Sequence, residues 1–404
     1  MSSRWFKRPR KHTSAVVEMS SLGNIKIWMD LAILLAGSAC AAALVSHVTS
    51  IFAVIVRFKR RDVGTAAMAG DSIGVSILRP VCGIENFIEE TLQSTFVLDY
   101  PRYEILFCVA AIDDPVIPLV ECLIAAHPQI DAKLLIGNST ASANPKLNNL
   151  IKGWRASRYD WVLMADSNVL MPKHQLQHMQ AAWRADTGLV CSPPVGSAPQ
   201  NLWAELECAF LNTYQARWQC FADLIGLGFA QGKAMLWRRD LLEAAGGIQA
   251  LADEIAEDAA ATKIVRTQGL RVRLVMAPFA QPLGRRGAID VWLRQLRWAR
   301  LRRATFKWFF VPEIFVGAVP PVAFATLAAA LAGWPIIGPL TLLIVLWYAV
   351  EALLACAAGW PFSLRIFVVC MLRDILLPLL WIAAWTGNKF EWRGNAMTVA
   401  VGAT

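Results

Sequence analysis

Four short clusters of polar side chains have the types and spacing that chemistry needs. Ile112-Asp113-Asp114-Pro115 follows an apolar run, and a carboxylate there can accept hydrogen bonds from the base or ribose of a nucleotide. Val162-Leu163-Met164-Ala165 delivers Asp166 and Asn168 directly into a turn, the arrangement by which a carboxylate comes to hold a divalent cation against a diphosphate. Ile255-Ala256-Glu257-Asp258-Ala259 opens an apolar helical pattern with two acids, one of which can deprotonate an attacking hydroxyl. Arg294-Gln295-Leu296-Arg297-Trp298, followed by Arg300, Arg302 and Arg303, offers guanidinium forks suited to phosphate. Each cluster also has a plain structural reading. Acids at strand ends cap helices, acids in a first helical turn answer the helix dipole, and a basic amphipathic helix can simply lie on lipid.

The elements that must position these clusters alternate in type. Short apolar runs at 74–78, 104–110, 132–136 and 161–165 read as strands, with helical patterns at 84–94, 116–126 and 146–156 between them. That alternation predicts an α/β fold with a mostly parallel sheet, whose ligands gather at the carboxyl ends of the strands. Asp113, Asp114, Asp166 and Asn168 all follow such strands.

On either side of this region the chain is apolar. Hydrophobic residues make up 56% of the 404 residues and charged ones 17%, against about 45–50% and 25% in soluble domains. The excess is concentrated. Leu31–Val56 runs 26 residues without a formal charge, enough to cross a hydrocarbon core of about 30 Å and too long for a signal-peptide core. Ile314–Val350 runs 37 residues without charge, about 55 Å as helix and too long for one crossing. The turn residues Gly333-Trp334-Pro335 split it into spans near 314–333 and 337–358. A further apolar segment at 366–386 carries Arg373 and Asp374, which at membrane depth must pair, face protein or sit at the interface.

The net charge of +9 lies largely beside these segments, at Arg57, Lys59, Arg60 and Arg61 and between Arg285 and Lys307. Juxtamembrane basic residues meet anionic lipid and set topology. With no basic-aromatic binding module in view, the charge argues against a nucleic-acid partner. Arg57–Arg61 places the globular part in the cytosol, while Arg4, Lys7, Arg8, Arg10, Lys11 and Lys26 in the amino-terminal tail oppose that orientation. The nine cysteines form no C-x-x-C pair, as expected of reduced, buried thiols. The expected organisation is a basic tail (1–30), a transmembrane helix (31–56), a catalytic domain (72–290) with a linker at 62–71, a basic interfacial segment (291–313), two to three transmembrane or interfacial helices (314–386) and a tail (387–404).

Order and spacing of the four clusters carry more than any one of them. Asp114, Asp166, Asp258 and Arg294–Trp298 resemble, in that order, the three acidic motifs and the Q/R-x-x-R-W motif of the ceramide glucosyltransferase family, among inverting family 2-like glycosyltransferases of GT-A fold. The stretches Ile77–Gly83, Asp99-Tyr100-Pro101, Asn144–Leu150 and Glu243–Gly247 extend the resemblance over about residues 73–303. It implies a GT-A nucleotide-sugar-binding domain and transfer of glucose from UDP-glucose to ceramide in a membrane, expected to be a bacterial inner membrane with the catalytic domain on the cytosolic side. It further implies Asp258 as general base and Asp114, with Asp113, at the uridine. Asp166 would serve the diphosphate through Mg or Mn, with Asn168 as a second, neutral ligand where the wider pattern has an acid. Arg294, Gln295, Arg297 and Trp298 would hold the donor and help close the acceptor site, with Lys146 a further phosphate ligand. Galactose or N-acetylglucosamine as the sugar, another membrane lipid as acceptor, and a non-enzymatic membrane scaffold remain alternatives. The loop Gly226–Met235 is a candidate for sugar choice.

Overall fold

The computed structural model describes residues 12–59, 73–276, 278–392 and 395–398. The tail residues 1–11 and 399–404, Arg60, Arg61 and the linker at 62–71 lie outside the described residues. By its internal contacts the chain forms two units, one of residues 1–47 and 315–347, the other of residues 48–314 and 348–404.

The larger unit is built on strands of which the central ones are buried on both faces. β1 (Val75–Val81), β2 (Tyr103–Val109), β3 (Asp131–Ile136) and β4 (Trp161–Ala165) are followed by β5 (Thr187–Cys191), β6 (Val195–Pro199), β7 (Ala234–Arg238), β8 (Arg271–Leu274) and β9 (Ala280–Gly284). Every residue of β1 and β2 is buried, as a sheet covered on both faces requires. Seven strands form one sheet in the order β3-β2-β1-β4-β7-β5-β8. Pairing is parallel throughout except that β7 runs antiparallel to both β4 and β5. The α/β fold with a mostly parallel central sheet is thus observed. β6 and β9 pair separately in parallel.

The strands expected at 74–78, 104–110, 132–136 and 161–165 are β1 to β4, and helices Ile117–Ala126 and Pro145–Ala156 match the patterns read there. The pattern at 84–94 is shorter, forming helix only over Ile88–Gln93. The core between sheet and helices holds Ile77, Ile105, Phe107, Leu163 and Leu236, all fully buried.

Burial of two polar residues in this core is explained by their bonds. Glu104 accepts from Ser76 Oγ at 2.6 Å and from the Arg158 amide at 2.7 Å. Arg79, fully buried in β1, donates to the carbonyls of Thr91 (3.0 Å), Ser167 (3.1 Å) and Val169 (3.3 Å). Desolvation pushes its guanidinium down to about 9, opposed by the charge of Asp166. A buried arginine in a strand is costly unless satisfied; here it fastens the turn that carries Asp166 and Asn168.

Among the described residues, three helices are long and apolar enough to cross a membrane: Asn24–Lys59, Ile337–Ala358 and Ile366–Trp385. A fourth span results if Lys307–Phe315 and Val319–Ala332 are counted as one broken crossing. The amino-terminal helix runs His12–Lys59 and contains the 31–56 segment within it. The span expected at 314–333 is shorter, because Pro320 and Pro321 favour the first turn of a helix and Gly333 closes it at φ 66°. In the smaller unit, the His47 ring stacks on the Trp347 indole at 3.7 Å between centroids. The region expected as a carboxyl-terminal tail holds a hairpin of β10 (Lys389–Trp392) and β11 (Asn395–Thr398).

Arg373 and Asp374 pair inside the protein. Arg373 lies 2.7 Å from Asp374 Oδ1 and 3.0 Å from Glu351 Oε1, with Arg217 3.9 Å from the same glutamate oxygen. All four residues are essentially buried. Mutual pairing is what allows charges on such apolar helices.

Candidate active site

The helix Pro145–Ala156 starts where the sequence dictates. Asn144 caps it, its side chain accepting from the amides of Lys146 (2.9 Å) and Leu147 (3.1 Å), and Pro145 stands at the first helical position. This start aims Lys146 at the carboxyl end of β4. Its ammonium lies 2.6 Å from Asp166 Oδ1, 2.6 Å from Glu257 Oε1 and 2.5 Å from the Gly232 carbonyl oxygen. Glu257, buried at the start of helix Glu257–Thr267, also accepts from Asn144 Nδ2 at 2.7 Å.

On the other side of Asp166, Lys233 Nζ lies 2.9 Å from Asp166 Oδ2 and 3.0 Å from Asn168 Oδ1. The two ammonium charges hold the Asp166 carboxyl well below the usual carboxylate range, against its own desolvation. Lys146 is driven above its ordinary value by Asp166 and Glu257, which outweigh desolvation. Burial moves Lys233 the other way, partly offset by Asp166. Asp166 and Lys146 are therefore ionised across the physiological range.

Asp258 is different. Half-buried, it accepts a hydrogen bond from the Gly232 amide at 3.1 Å. Desolvation, and then the neighbouring Glu257 carboxylate, push it up to about 6. That value suits a general base near neutral pH. One residue joins this acid to the cationic centre: Gly232 donates its N–H to Asp258 and lends its carbonyl to Lys146. A Cβ there would stand 2.7 Å from Glu257 Oε1, so a side chain at this position would displace that carboxylate from its contact with Lys146.

The expected residues fall into groups. Asp166, Asn168, Lys146 and Asp258 converge. Asp114 accepts from the Gly83 amide at 3.0 and 3.1 Å and from the Val116 amide at 3.0 Å, so it ties together the loops that follow β1 and β2. Asp113 beside it is exposed. Arg294, on helix Ala288–Thr305, ion-pairs with the buried Glu207, which also holds Arg286 at 3.1 Å. Its charge is close enough to Lys233 to depress that ammonium, which connects the arginine helix to the Asp166 centre. Gln295 is buried and accepts from Gln215 at 3.0 Å. Trp298 packs on Ala204, Cys208, Leu211 and Leu283, and Arg297 is half-buried on the same helix.

Sequence reasoning missed Lys233, Glu207 and Arg79. Lys233 had a readable signal, a lysine directly after a glycine in the flagged 226–235 loop. Glu207 and Arg79 had none, because their partners are distant in sequence.

The metal expected at Asp166 and Asn168 meets a poor donor set. Both carboxylate oxygens of Asp166 and the amide oxygen of Asn168 already face lysine ammonium groups. Among the described residues no three His, Cys, Asp or Glu side chains come together to hold a metal ion. A dication about 4 Å from even one ammonium is repelled by roughly 8 kcal/mol at an effective dielectric near 20. The arrangement does not fit a divalent cation.

Residues 39–404 match the family model described as Glycosyl transferase family 21. The chain belongs to this family. As a family 21 glycosyltransferase it has relatives called ceramide glucosyltransferase. One from Caenorhabditis elegans, ceramide glucosyltransferase 3, is 26% identical over 81% of this chain and 73% of the relative. One from Komagataella phaffii is 26% identical over 97% of this chain and 94% of its own length. Among solved structures, the mannosyltransferase PcManGT from Pyrobaculum calidifontis, in complex with GDP-Man and Mn2+, is similar at a TM-score of 0.47 and 18% identity, covering 87% of this chain and 97% of that one.

Proposed function

We propose that this family 21 glycosyltransferase moves glucose from UDP-glucose to the primary hydroxyl of ceramide, with inversion and with Asp258 as the general base. The observation that carries the reading is the pairing of two unlike acids through Gly232. Asp166 is permanently ionised between two lysines, while Asp258, raised to about 6, can take a proton. Environments that push two acids apart mark their separate roles. The ceramide glucosyltransferase relatives supply the substrate class.

In this reading the lipid hydroxyl oxygen attacks the anomeric carbon as its proton passes to Asp258. The bond from that carbon to the phosphate oxygen breaks, and its electron pair leaves on UDP. A single displacement inverts the configuration. The protein's contribution is positioning and stabilisation of the charge that develops on the diphosphate. Arg294, oriented by Glu207, stands on the side of Lys233. Asp114 orders the loops after β1 and β2 against which the uridine is expected.

The apolar helices and the basic, aromatic stretch 291–313 bring the domain to its lipid substrate, with the catalytic side cytosolic, where nucleotide sugars are made, and a bacterial inner membrane as the host. A cavity of about 240 Å3 is lined by the apolar Ala355, Trp360 and Ile366 and by the polar Glu205, Asn212 and Thr213, a mixed wall that can take the start of a lipid chain beside its polar head. It lies beside helix Leu202–Ala209, which carries Glu207.

The test is turnover by detergent-purified protein given ceramide with UDP-glucose, UDP-galactose or UDP-N-acetylglucosamine in separate reactions. Glucosylceramide as the dominant product, identified by mass spectrometry, is the expected result. Glycosylation of another lipid in preference to ceramide refutes the acceptor, and preference for another donor refutes the sugar.

A further inference from the structure

Asp166 and Asn168 present two oxygens side by side at the end of β4, and a single positive atom spans them. That atom is Lys233 Nζ, 2.9 Å from one and 3.0 Å from the other. We propose that Lys233 stands in for a divalent cation and binds the donor's diphosphate directly, so that donor binding needs no metal. The inference rests on the nucleotide-diphosphate reading of the site.

The two lysines differ in what they have left to give. An ammonium has three N–H donors. Those of Lys146 are matched by Asp166, Glu257 and the Gly232 carbonyl, which makes Lys146 a strut that holds the site together. The hydrogen bonds of Lys233 go to Asp166 and Asn168, which leaves its third donor for a ligand. Lys233 is also fixed in place. Its carbonyl accepts from the Asp166 amide at 2.9 Å, and β7, which begins at the next residue, is paired with β4. Its side chain is 16% exposed, enough to meet a phosphate and little enough to be poorly hydrated. A lysine serves phosphate as a point charge, and Arg294 stands near enough to depress Lys233, so a diphosphate arriving here meets a second cation.

Asn168 fits the same account. Its neutral oxygen orients an ammonium as well as a carboxylate does, without adding a negative charge that the diphosphate would have to face. The amide also extends Nδ2 toward Glu85 Oε2 at 3.5 Å, which sets the direction of the oxygen.

The experiment measures UDP binding to the detergent-purified full chain by titration calorimetry, in EDTA and then with Mg2+ or Mn2+. Wild-type affinity is expected to change by less than about twofold between these conditions. Lys233→Met should weaken UDP in EDTA by roughly 10- to 100-fold, the range for losing a charge-assisted hydrogen bond. Lys233→Arg should retain most of the affinity without metal, which separates loss of charge from loss of fold. Manganese titrated by electron paramagnetic resonance should show no tight site in wild type, where both lysines face Asp166; a tight site there overturns the proposal. Wild-type binding that disappears in EDTA and returns with Mg2+ or Mn2+ overturns the proposal while leaving the donor reading intact. So does Lys233→Met binding UDP as tightly as wild type. Absence of UDP binding under every condition overturns the donor reading, and the proposal with it.

Discussion

If Asp258 is the base, the reaction must fail on the acid side at a pH set by its neighbours. The carboxyl is pushed up to about 6 by burial and by the Glu257 carboxylate. With that value about nine-tenths of the enzyme is competent at pH 7 and about one-tenth at pH 5. kcat/KM, which reports the free enzyme, is therefore expected to fall about tenfold between those points. The sign follows from the chemistry: lowering the pH through the raised value protonates the group that must accept a proton. Glu257→Gln tests the cause. It removes a like charge, and it releases Lys146 from one of its two acidic partners, leaving that ammonium less neutralised near Asp258. Both changes favour the ionised carboxylate and move the acid limb to lower pH. A movement of about one unit raises the competent fraction at pH 5 from about a tenth to about a half. The assay is initial rate at sub-saturating donor from pH 4.5 to 8.5, normalised to each variant's own plateau, so that damage to the absolute rate through the lost Asn144 and Lys146 contacts does not enter. A flat profile across this range refutes the role of Asp258, and a limb that Glu257→Gln leaves in place refutes the electrostatic cause.

Asp258→Asn should lower kcat by roughly 100- to 10,000-fold, the usual worth of a general base, while UDP affinity by calorimetry stays within about threefold because the amide still accepts from Gly232. Glu207→Ala leaves Arg286 and Arg294 without their shared, buried carboxylate; a loss of about 3 kcal/mol in thermal or denaturant unfolding is expected, with a rise in KM for the donor, whereas unchanged stability and KM would falsify the positioning role. Asn144→Ala removes a helix cap and a bond to Glu257, for which about 1–2 kcal/mol of destabilisation is expected in the same measurement.

The fold was legible because its signal is local. β1 to β4 are short apolar runs bounded by turn residues, and the helices between them repeat an apolar face every three to four residues. Asn144-Pro145 announces a helix start in two letters. The apolar spans were equally plain in composition, while their ends were not: Pro320 and Pro321 delay a helix that hydropathy alone begins earlier. Arg373 and Asp374 could be read only as a conflict with their surroundings, since Glu351 and Arg217, which complete the buried cluster, sit in other segments.

The site was legible in its acids and in Lys146 but not in Lys233, and the sheet explains the difference. Asp166 announces itself because four apolar residues of one strand deliver it to a turn. Lys233 is 67 residues away in sequence and follows no such run. The two meet because β7 enters the sheet antiparallel to β4, with Ala165 opposite Ala234. In that register the residue leaving β4 faces the residue entering β7, so an acid at one end is matched to a base at the other by pairing alone. A parallel neighbour would have brought the opposite end of its strand to this edge. The exception to parallel pairing, which alternation of strands and helices does not disclose, is thus what places an ammonium where the wider pattern of such sites calls for a metal.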